Sequence, residues 1–367
     1  MGFKIKAKKY AQRCLSIYRH KMKLWAEYKK IKDKRRVNIL SEVNLTDEQK
    51  KQIDDLYVTY YGKKIPYAWH RHYTAYTGHF DPYYIPETLF IPEFESYMNK
   101  AREYVDVLAD KNILEVIAKG VGVQMPKTII SCANGTLRNN KYELISWDDI
   151  LSVVPGGMLF AKPTVDSGSG EGCRLLNKEQ DNFVEELKTM GSNFVIQEKI
   201  TCSNSIRNIY PESVNTFRVI TYIWKEKVMC TPVILRIGQK GSFLDNAHAG
   251  GMFIAVNNDG TLHKTAFTEF RNIYEEHPDT HLIFENYKIE NFEVVLQAAK
   301  KMHGALPQLG VVNWDFTINQ EEIPVLIEAN TIGGSIWLAQ MAWGKGFFGD
   351  NTPEILEWLR EKNKEKC

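Results

Sequence analysis

No stretch of this 367-residue chain holds about 18 consecutive apolar residues, the length that a bilayer-spanning helix requires. Its six cysteines (Cys14, Cys132, Cys173, Cys202, Cys230, Cys367) form no Cys-x-x-Cys pair and no Cys/His cluster. That scatter argues against a zinc site and a disulfide framework, and it fits a reducing cytoplasm. The segment Met1 to Arg13 has no apolar core and does not read as a secretory signal, and Lys6 stands where a myristoylation signal needs Ser or Thr. No internal repeat is evident, and no regular alternation of strand and helix points to a doubly wound sheet. No Ser-His-Asp set or nucleophilic cysteine stands out.

Overall charge is also scarce, with 47 Lys/Arg against 45 Asp/Glu and a net +2. The balance hides an asymmetry. Residues 1–36 carry fourteen Lys/Arg against only Glu27 and Asp33, a local +12, so the remaining chain carries −10. An acidic body without an aromatic-basic platform argues against a nucleic-acid role. The basic segment reads as one helix in which Tyr10, Cys14, Ile17, Tyr18, Met22, Leu24 and Trp25 interleave with lysines. It suits contact with a membrane surface or a partner protein, or packing of one face on its own domain.

Four segments follow from the pattern: a basic helix at 1–36, a mainly helical, aromatic region at 37–110, an α+β domain at 111–352 and a C-terminal helix at 353–367. Thr46 caps a helix with an acidic first turn, Asp47-Glu48. Between Tyr67 and Pro92, His70, His72 and His79 lie among many aromatics. His70-Arg71-His72 would put neighbouring side chains on opposite sides of a strand and lacks helical i,i+4 spacing, and Arg71 would oppose a cation, a poor metal pattern. A structural aromatic cluster or a substrate-recognition surface suits it better. Further on, the pattern predicts helices at 111–119, 178–190 and 291–305. Strands are expected at 121–130, 158–162, 194–198, 215–224, 228–237, 252–256, 311–318 and 323–327, with a hairpin turn at Asn258-Asp259-Gly260. The fold class is α+β with antiparallel sheets.

Three sites carry chemistry. Lys162 ends an apolar strand beside Ser167, Gly168, Ser169, Gly170 and Gly172. Small residues let backbone N–H groups wrap phosphate oxygens, and the ammonium adds a point charge. No Gly-Lys-Ser/Thr follows, so the loop is not a Walker A motif. Next, Asn313-Trp314-Asp315-Phe316-Thr317 and Val325-Leu326-Ile327-Glu328-Ala329-Asn330 predict a hairpin with Asp315 opposite Glu328 and Asn330 on the same face. Oxygen ligands on a rigid hairpin suit Mg²⁺, and burying two carboxylates without a cation is costly. The third site is the strand end Gln197-Glu198-Lys199, which suits a nucleoside. Arg218 and Arg236 lie on apolar strands and need an anion, either a phosphoryl group, a substrate carboxylate or a structural partner.

The order of these features resembles the ATP-grasp fold, and more narrowly the sugar-transfer-associated ATP-grasp family of bacterial surface-glycan gene clusters. Ser213-Val214-Asn215-Thr216-Phe217-Arg218-Val219, Asp245-Asn246-Ala247-His248-Ala249-Gly250-Gly251, Trp314-Asp315 and Ile327-Glu328-Ala329-Asn330 carry the match. Ile85-Pro86-Glu87 and Asp110-Lys111 extend it, to roughly residues 60–345. The resemblance implies two α+β lobes gripping ATP, with Lys111 and Lys162 on the phosphates and the Gly168–Gly172 loop folded over them. Glu198 would bind ribose, Arg218 would stabilise the transferred phosphoryl, and Asp315, Glu328 and Asn330 would hold one or two Mg²⁺. Asn246 and His248 would close the nucleotide loop or touch substrate.

The implied activity is a carboxylate–amine ligase working through an acyl phosphate, for example on a uronic acid of a surface polysaccharide. A sugar-hydroxyl kinase would use the same site. A non-catalytic nucleotide-binding adaptor of a glycan-assembly complex is the reading from another class, and the intact acidic residues speak against it.

Overall fold

In the computed structural model, which describes residues 2–165 and 170–366, the chain divides into two units. One comprises Met1–Lys100, Phe270–Ile273 and Ile332–Cys367; the other comprises Ala101–Glu269 and Tyr274–Thr331.

The first unit is helical. Helices run over Gly2–Ile31, Lys34–Ser41, Asp47–Leu56, Ala68–Thr77, Trp337–Trp343 and Thr352–Lys366, among shorter turns. Thr46 caps its helix reciprocally with Gln49, as the hydroxyl and acidic first turn predict. The core is aromatic: Tyr57, Trp69, Tyr73, Tyr84, Phe90 and Phe94 are buried with Trp337, Phe347 and Phe348. Within the region expected to be mainly helical, His70-Arg71-His72 lies on the helix Ala68–Thr77. Its propensities are mixed, and tertiary burial of both imidazoles decides the outcome. The His70 ring bonds the Pro82 carbonyl at 3.2 Å, and His72 packs edge-on against Trp69 and Tyr76. Desolvation holds His70 near a pKa of about 4 and His72 near about 3, so both rings are neutral. These two histidines thus belong to a structural aromatic cluster.

Glu87, on the same core, caps the helix Trp337–Trp343. Its Oε1 accepts from the Ser335 hydroxyl and from the backbone N–H groups of Ile336 and Trp337, each at 2.8 Å. Burial, then the nearby Glu27 carboxylate, pushes its pKa up to about 8.

The second unit carries the strands, except that Ile273 of the strand Ile273–Tyr274 falls in the first. These are β1 (Thr128–Ala133), β2 (Thr136–Asn139), β3 (Met158–Pro163), β4 (Arg174–Asn177), β5 (Phe194–Glu198), β6 (Thr216–Trp224), β7 (Lys227–Cys230), β8 (Val233–Ile237), β9 (Met252–Val256), β10 (Leu262–Thr268), β11 (Ile273–Tyr274), β12 (Val311–Ile318) and β13 (Pro324–Asn330). Among the described residues they form a five-stranded sheet in the order β2-β1-β5-β3-β4 and a larger sheet in the order β11-β10-β9-β8-β6-β12-β13, with β7 also on β6. The ladders within β1–β5, and those joining β6, β7, β8, β9, β10, β12 and β13, are antiparallel, so the α+β class holds. The five-stranded sheet has a small core of its own around Ile130, Phe183, Leu187 and Phe194. The larger sheet packs Trp314, Phe316, Phe217 and Leu235 with Val295, Ala299 and Met302 of the helix Glu293–Gly304.

The expected strand 228–237 breaks into β7 and β8 at Thr231-Pro232, where proline offers no N–H to a ladder. The expected strand 121–130 starts only at Thr128, and the helix 178–190 contracts to Phe183–Lys188 behind turns closed by Gln180 and Phe183.

Candidate functional site

The hairpin β12–β13 pairs Asp315 with Glu328 and Asn313 with Asn330, and β6 places Arg218 opposite Asp315. Directly opposed residues of an antiparallel pair point to one face. This face of the larger sheet is therefore polar, while Trp314 and Phe316 face the core. On β8, Arg236 lies opposite Thr216 and joins the same face.

Asp315 is the centre of an ion cluster. Arg218 grips it with Nε at 2.6 Å from Oδ1 and Nη2 at 3.2 Å from Oδ2, and Arg236 Nη2 reaches Oδ2 at 3.0 Å. Burial alone would raise the Asp315 carboxyl; the two guanidinium groups outweigh it and hold the pKa below the ordinary aspartate value. Arg236 in turn donates to the Thr216 hydroxyl at 2.6 Å and lies 3.6 Å from Asp245. Asp245 accepts from the Thr216 backbone N–H at 3.0 Å and from its hydroxyl. Desolvation raises the Asp245 pKa despite the Arg236 charge.

Beside this cluster, Lys111 Nζ lies 3.2 Å from Glu328 Oε1, and Lys162 Nζ donates to the Ile327 carbonyl at 3.2 Å. Lys111 opens the helix Lys111–Gly120, capped by Asp110. Lys162 sits near the end of β3, buried, with its pKa lowered to about 8 by desolvation first and then by the Lys111 charge. Two lysines and two arginines thus face two carboxylates, with Asp245 behind Arg236. The cations that compensate Asp315 and Glu328 are side chains of the protein, so carboxylate burial by itself does not demand a metal here.

The phosphate-loop prediction is visible in part. Ser167, Gly168 and Ser169 lie outside the described residues. Gly170 and Gly172 have φ of +80° and +74°, and a Cβ on Gly172 would meet the Pro163 ring at 2.8 Å. On β5, Gln197 is buried and donates to the Pro126 carbonyl and the Thr128 hydroxyl, and its Oε1 has no partner among the described residues. Glu198 is held by Lys127 at 2.7 Å, and Lys199 is exposed.

The loop after β8 is tightly built. The Asn246 side chain accepts from the His248 N–H at 2.9 Å, and a Cβ on Gly251 would lie 2.5 Å from the Asp245 carbonyl oxygen. His248 Nδ1 donates to Glu269 at 2.7 Å. Asp245, Thr216 and Glu269 were not singled out by function in the sequence. Asp245 and Thr216 do lie inside the motifs that carried the family resemblance. Glu269 has no local signal, because only the return of β10 brings it to His248.

A family profile described as sugar-transfer associated ATP-grasp matches residues 90–354. The chain belongs to that family. Its fold is the ATP-grasp fold. Among solved structures, the chain is similar to an L-amino acid ligase from Bacillus licheniformis, at 14% identity over 70% of this chain and 48% of that chain, TM-score 0.40. It is also similar to a D-alanine–D-alanine ligase from Bacillus anthracis, at 18% identity over 70% of this chain and 69% of that one, TM-score 0.39. A third is an N5-carboxyaminoimidazole synthetase from Staphylococcus aureus complexed with ADP, at 11% identity over 66% and 52%, TM-score 0.41. The chain spans about half the length of the first of these, 48%. No curated protein sequence matches it.

The donor set of this face fits a polyphosphate with a hard cation. Glu328 and Asn330 are part-exposed oxygen donors two residues apart on one strand face, and four cationic side chains stand next to them. Asp315 already has both oxygens engaged by arginine, which leaves Glu328 and Asn330 as the more accessible pair.

The depressed Lys162 pKa has a consequence for ligand binding. Deprotonation removes a positive charge, so ATP affinity measured by calorimetry should weaken several-fold as pH rises through about 8. A flat affinity curve up to pH 9.5 would show that Lys162 does not contact the phosphates.

Proposed function

We propose that this ATP-grasp protein is a Mg-ATP-dependent carboxylate–amine ligase acting on a uronic acid or related carboxylate in bacterial surface-polysaccharide biosynthesis. The observation that carries the proposal is the convergence of Lys111, Arg218 and Arg236 on Asp315 and Glu328, with Lys162 beside them on the Ile327 carbonyl. Such a set neutralises a triphosphate and the charge that develops when its terminal phosphoryl leaves. The glycan setting rests on the family description alone.

In this reading Lys111 and Lys162 bind the phosphates, and the glycine loop covers them. Arg218, positioned by its bidentate grip on Asp315, faces the transferred phosphoryl, with Arg236 holding Asp315 from the other side. Gln197, Glu198 and Lys199 take the nucleoside, Glu198 exchanging its Lys127 contact for a ribose hydroxyl. The loop with Asn246 and His248 closes the nucleotide site or meets substrate. Glu328 and Asn330, with Asp315, would hold Mg²⁺, which would supply charge neutralisation to the phosphates. A substrate carboxylate oxygen attacks the terminal phosphorus, ADP leaves, and an amine displaces phosphate from the acyl phosphate to give the amide. The protein contributes positioning and electrostatics and no covalent intermediate of its own.

The test is ADP release from Mg-ATP with pooled uronic acids and amino acids, with Asp315→Ala as the blank. Release that needs both a carboxylate and an amine is expected. Release with a hydroxyl compound alone would replace the ligase by a kinase. ATP binding without release from any pool would favour a nucleotide-binding adaptor.

A further inference from the structure

Among the described residues no helix is long and apolar enough to cross a membrane, yet the helix Gly2–Ile31 carries large apolar side chains in water. At 30 residues it is about 45 Å long. From His20 onward one face is fastened to its unit. His20 Nδ1 bonds the Pro92 carbonyl at 3.1 Å, and Lys23 reaches Ser96 at 2.8 Å and Glu95 at 3.6 Å. Glu27 and Ile31 on that face are buried.

The opposite face has no such cover. Tyr18, Met22 and Trp25 follow one another at helical spacing and are 60%, 45% and 59% exposed. Cys14, Leu15, Ser16, Ile17, Tyr18 and Arg19 are all exposed, so this stretch of the helix is bare on every side. Arg19, Lys21 and Lys29 are exposed beside the stripe, and Lys29 lies 5.4 Å from the Trp25 ring.

We infer that this face is a docking surface for an anionic phospholipid bilayer, on which the helix lies flat. Charge complementarity selects that occupant. Residues 1–36 carry +12 and the remaining chain carries −10, so an anionic surface attracts this segment and repels the rest. Tyr and Trp suit the headgroup boundary, where a ring can sink while its polar edge stays wet. Lysine and arginine stems reach from the same face to the phosphates. The inner face keeps the helix on its unit during contact, so binding needs no unfolding. The inference stands apart from the ligase reading and requires no substrate.

The experiment uses the full chain with vesicles of phosphatidylcholine alone and of phosphatidylcholine mixed with phosphatidylglycerol. Deleting the helix would strip a packed face, so exposed positions are changed instead. Co-sedimentation is expected only with the anionic vesicles, and it should fall with added salt. Tyr18→Ser, Met22→Ser and Trp25→Ser combined should weaken it by more than about tenfold, and so should Arg19→Glu with Lys21→Glu. ADP release, if present, should be unchanged in both variants. Equal sedimentation of the variants, or equal binding to neutral vesicles, overturns the inference. So does absence of vesicle binding; self-association by light scattering that the triple variant abolishes would then identify a second copy as the occupant.

Discussion

Glu328→Gln is expected to lower Mg-ATP turnover by about 10³-fold and to remove the Mg²⁺-dependent gain in ATP affinity. The substitution keeps the shape of the side chain and takes away one negative charge. That charge has two tasks in the proposed mechanism. It balances Lys111 at 3.2 Å, and it offers an oxygen beside Asn330 to a hard cation. Structural damage should be small, because the Glu328 side chain is 30% exposed and water can take over part of the compensation. Taking the Glu328 charge away from the buried Lys111 should cost about 1–2 kcal/mol, below the range for fully buried pairs. That corresponds to a loss of about 2–8 °C in thermal midpoint. Calorimetry with ATP, with and without Mg²⁺, reads the metal effect without knowledge of the substrate. Unchanged Mg²⁺ dependence in this variant would remove Glu328 from the metal set.

Asp315→Ala should be the most destructive change in the second unit, and its effect on stability does not depend on any ligand. The carboxylate sits between Arg218 and Arg236 at 2.6 and 3.0 Å with its side chain 3% exposed. Without it, Arg218 and Arg236 lose their shared counter-ion, and Asp245 stands at 3.6 Å from Arg236. Breaking a buried ion pair in this way costs about 3–5 kcal/mol. The expected fall in thermal midpoint is about 6–20 °C. Turnover should be lost as well, because Arg218 loses the group that aims it. Asp315→Asn keeps an acceptor for one arginine and should lose less stability. The pH dependence has a definite sign. The folded Asp315 pKa lies below the ordinary 3.8, so its contribution is present above that value and lost as pH falls through the folded pKa. The stability gap between the wild-type chain and Asp315→Ala should therefore persist at neutral pH and close only in strong acid. A gap of under about 1 kcal/mol at pH 7 would mean that the arginines are compensated elsewhere.

Much of this site was legible before folding. Strands of strong apolar pattern, Phe194–Glu198 and Val311–Ile318, appear with the expected bounds. The hairpin that sets Asp315 across from Glu328 follows from two apolar runs around a short polar turn. The aromatic region was harder. His70-Arg71-His72 has no decisive period, and only its burial against Trp69, Tyr73 and Tyr84 shows that it is helical and structural. Burial of the acidic hairpin calls for compensating charge, and Arg218, Arg236 and Lys111 bring it from three separate segments.

The amino-acid order alone determined the α+β class, the strand carrying Lys162, the acidic hairpin and the split between a basic start and an acidic remainder. Those features are local, since apolar periodicity, turn residues and charge are written within short windows. Tertiary structure alone decided the partners. Thr216, Asp245 and Arg236 are joined by strand register across β6 and β8, and Glu269 reaches His248 through the return of β10. It also decided which face of the N-terminal helix is covered, because Glu95 and Pro92 lie more than seventy residues along the chain from Lys23 and His20. Side-chain contacts at such separations depend on register and packing, and no short window of sequence contains them.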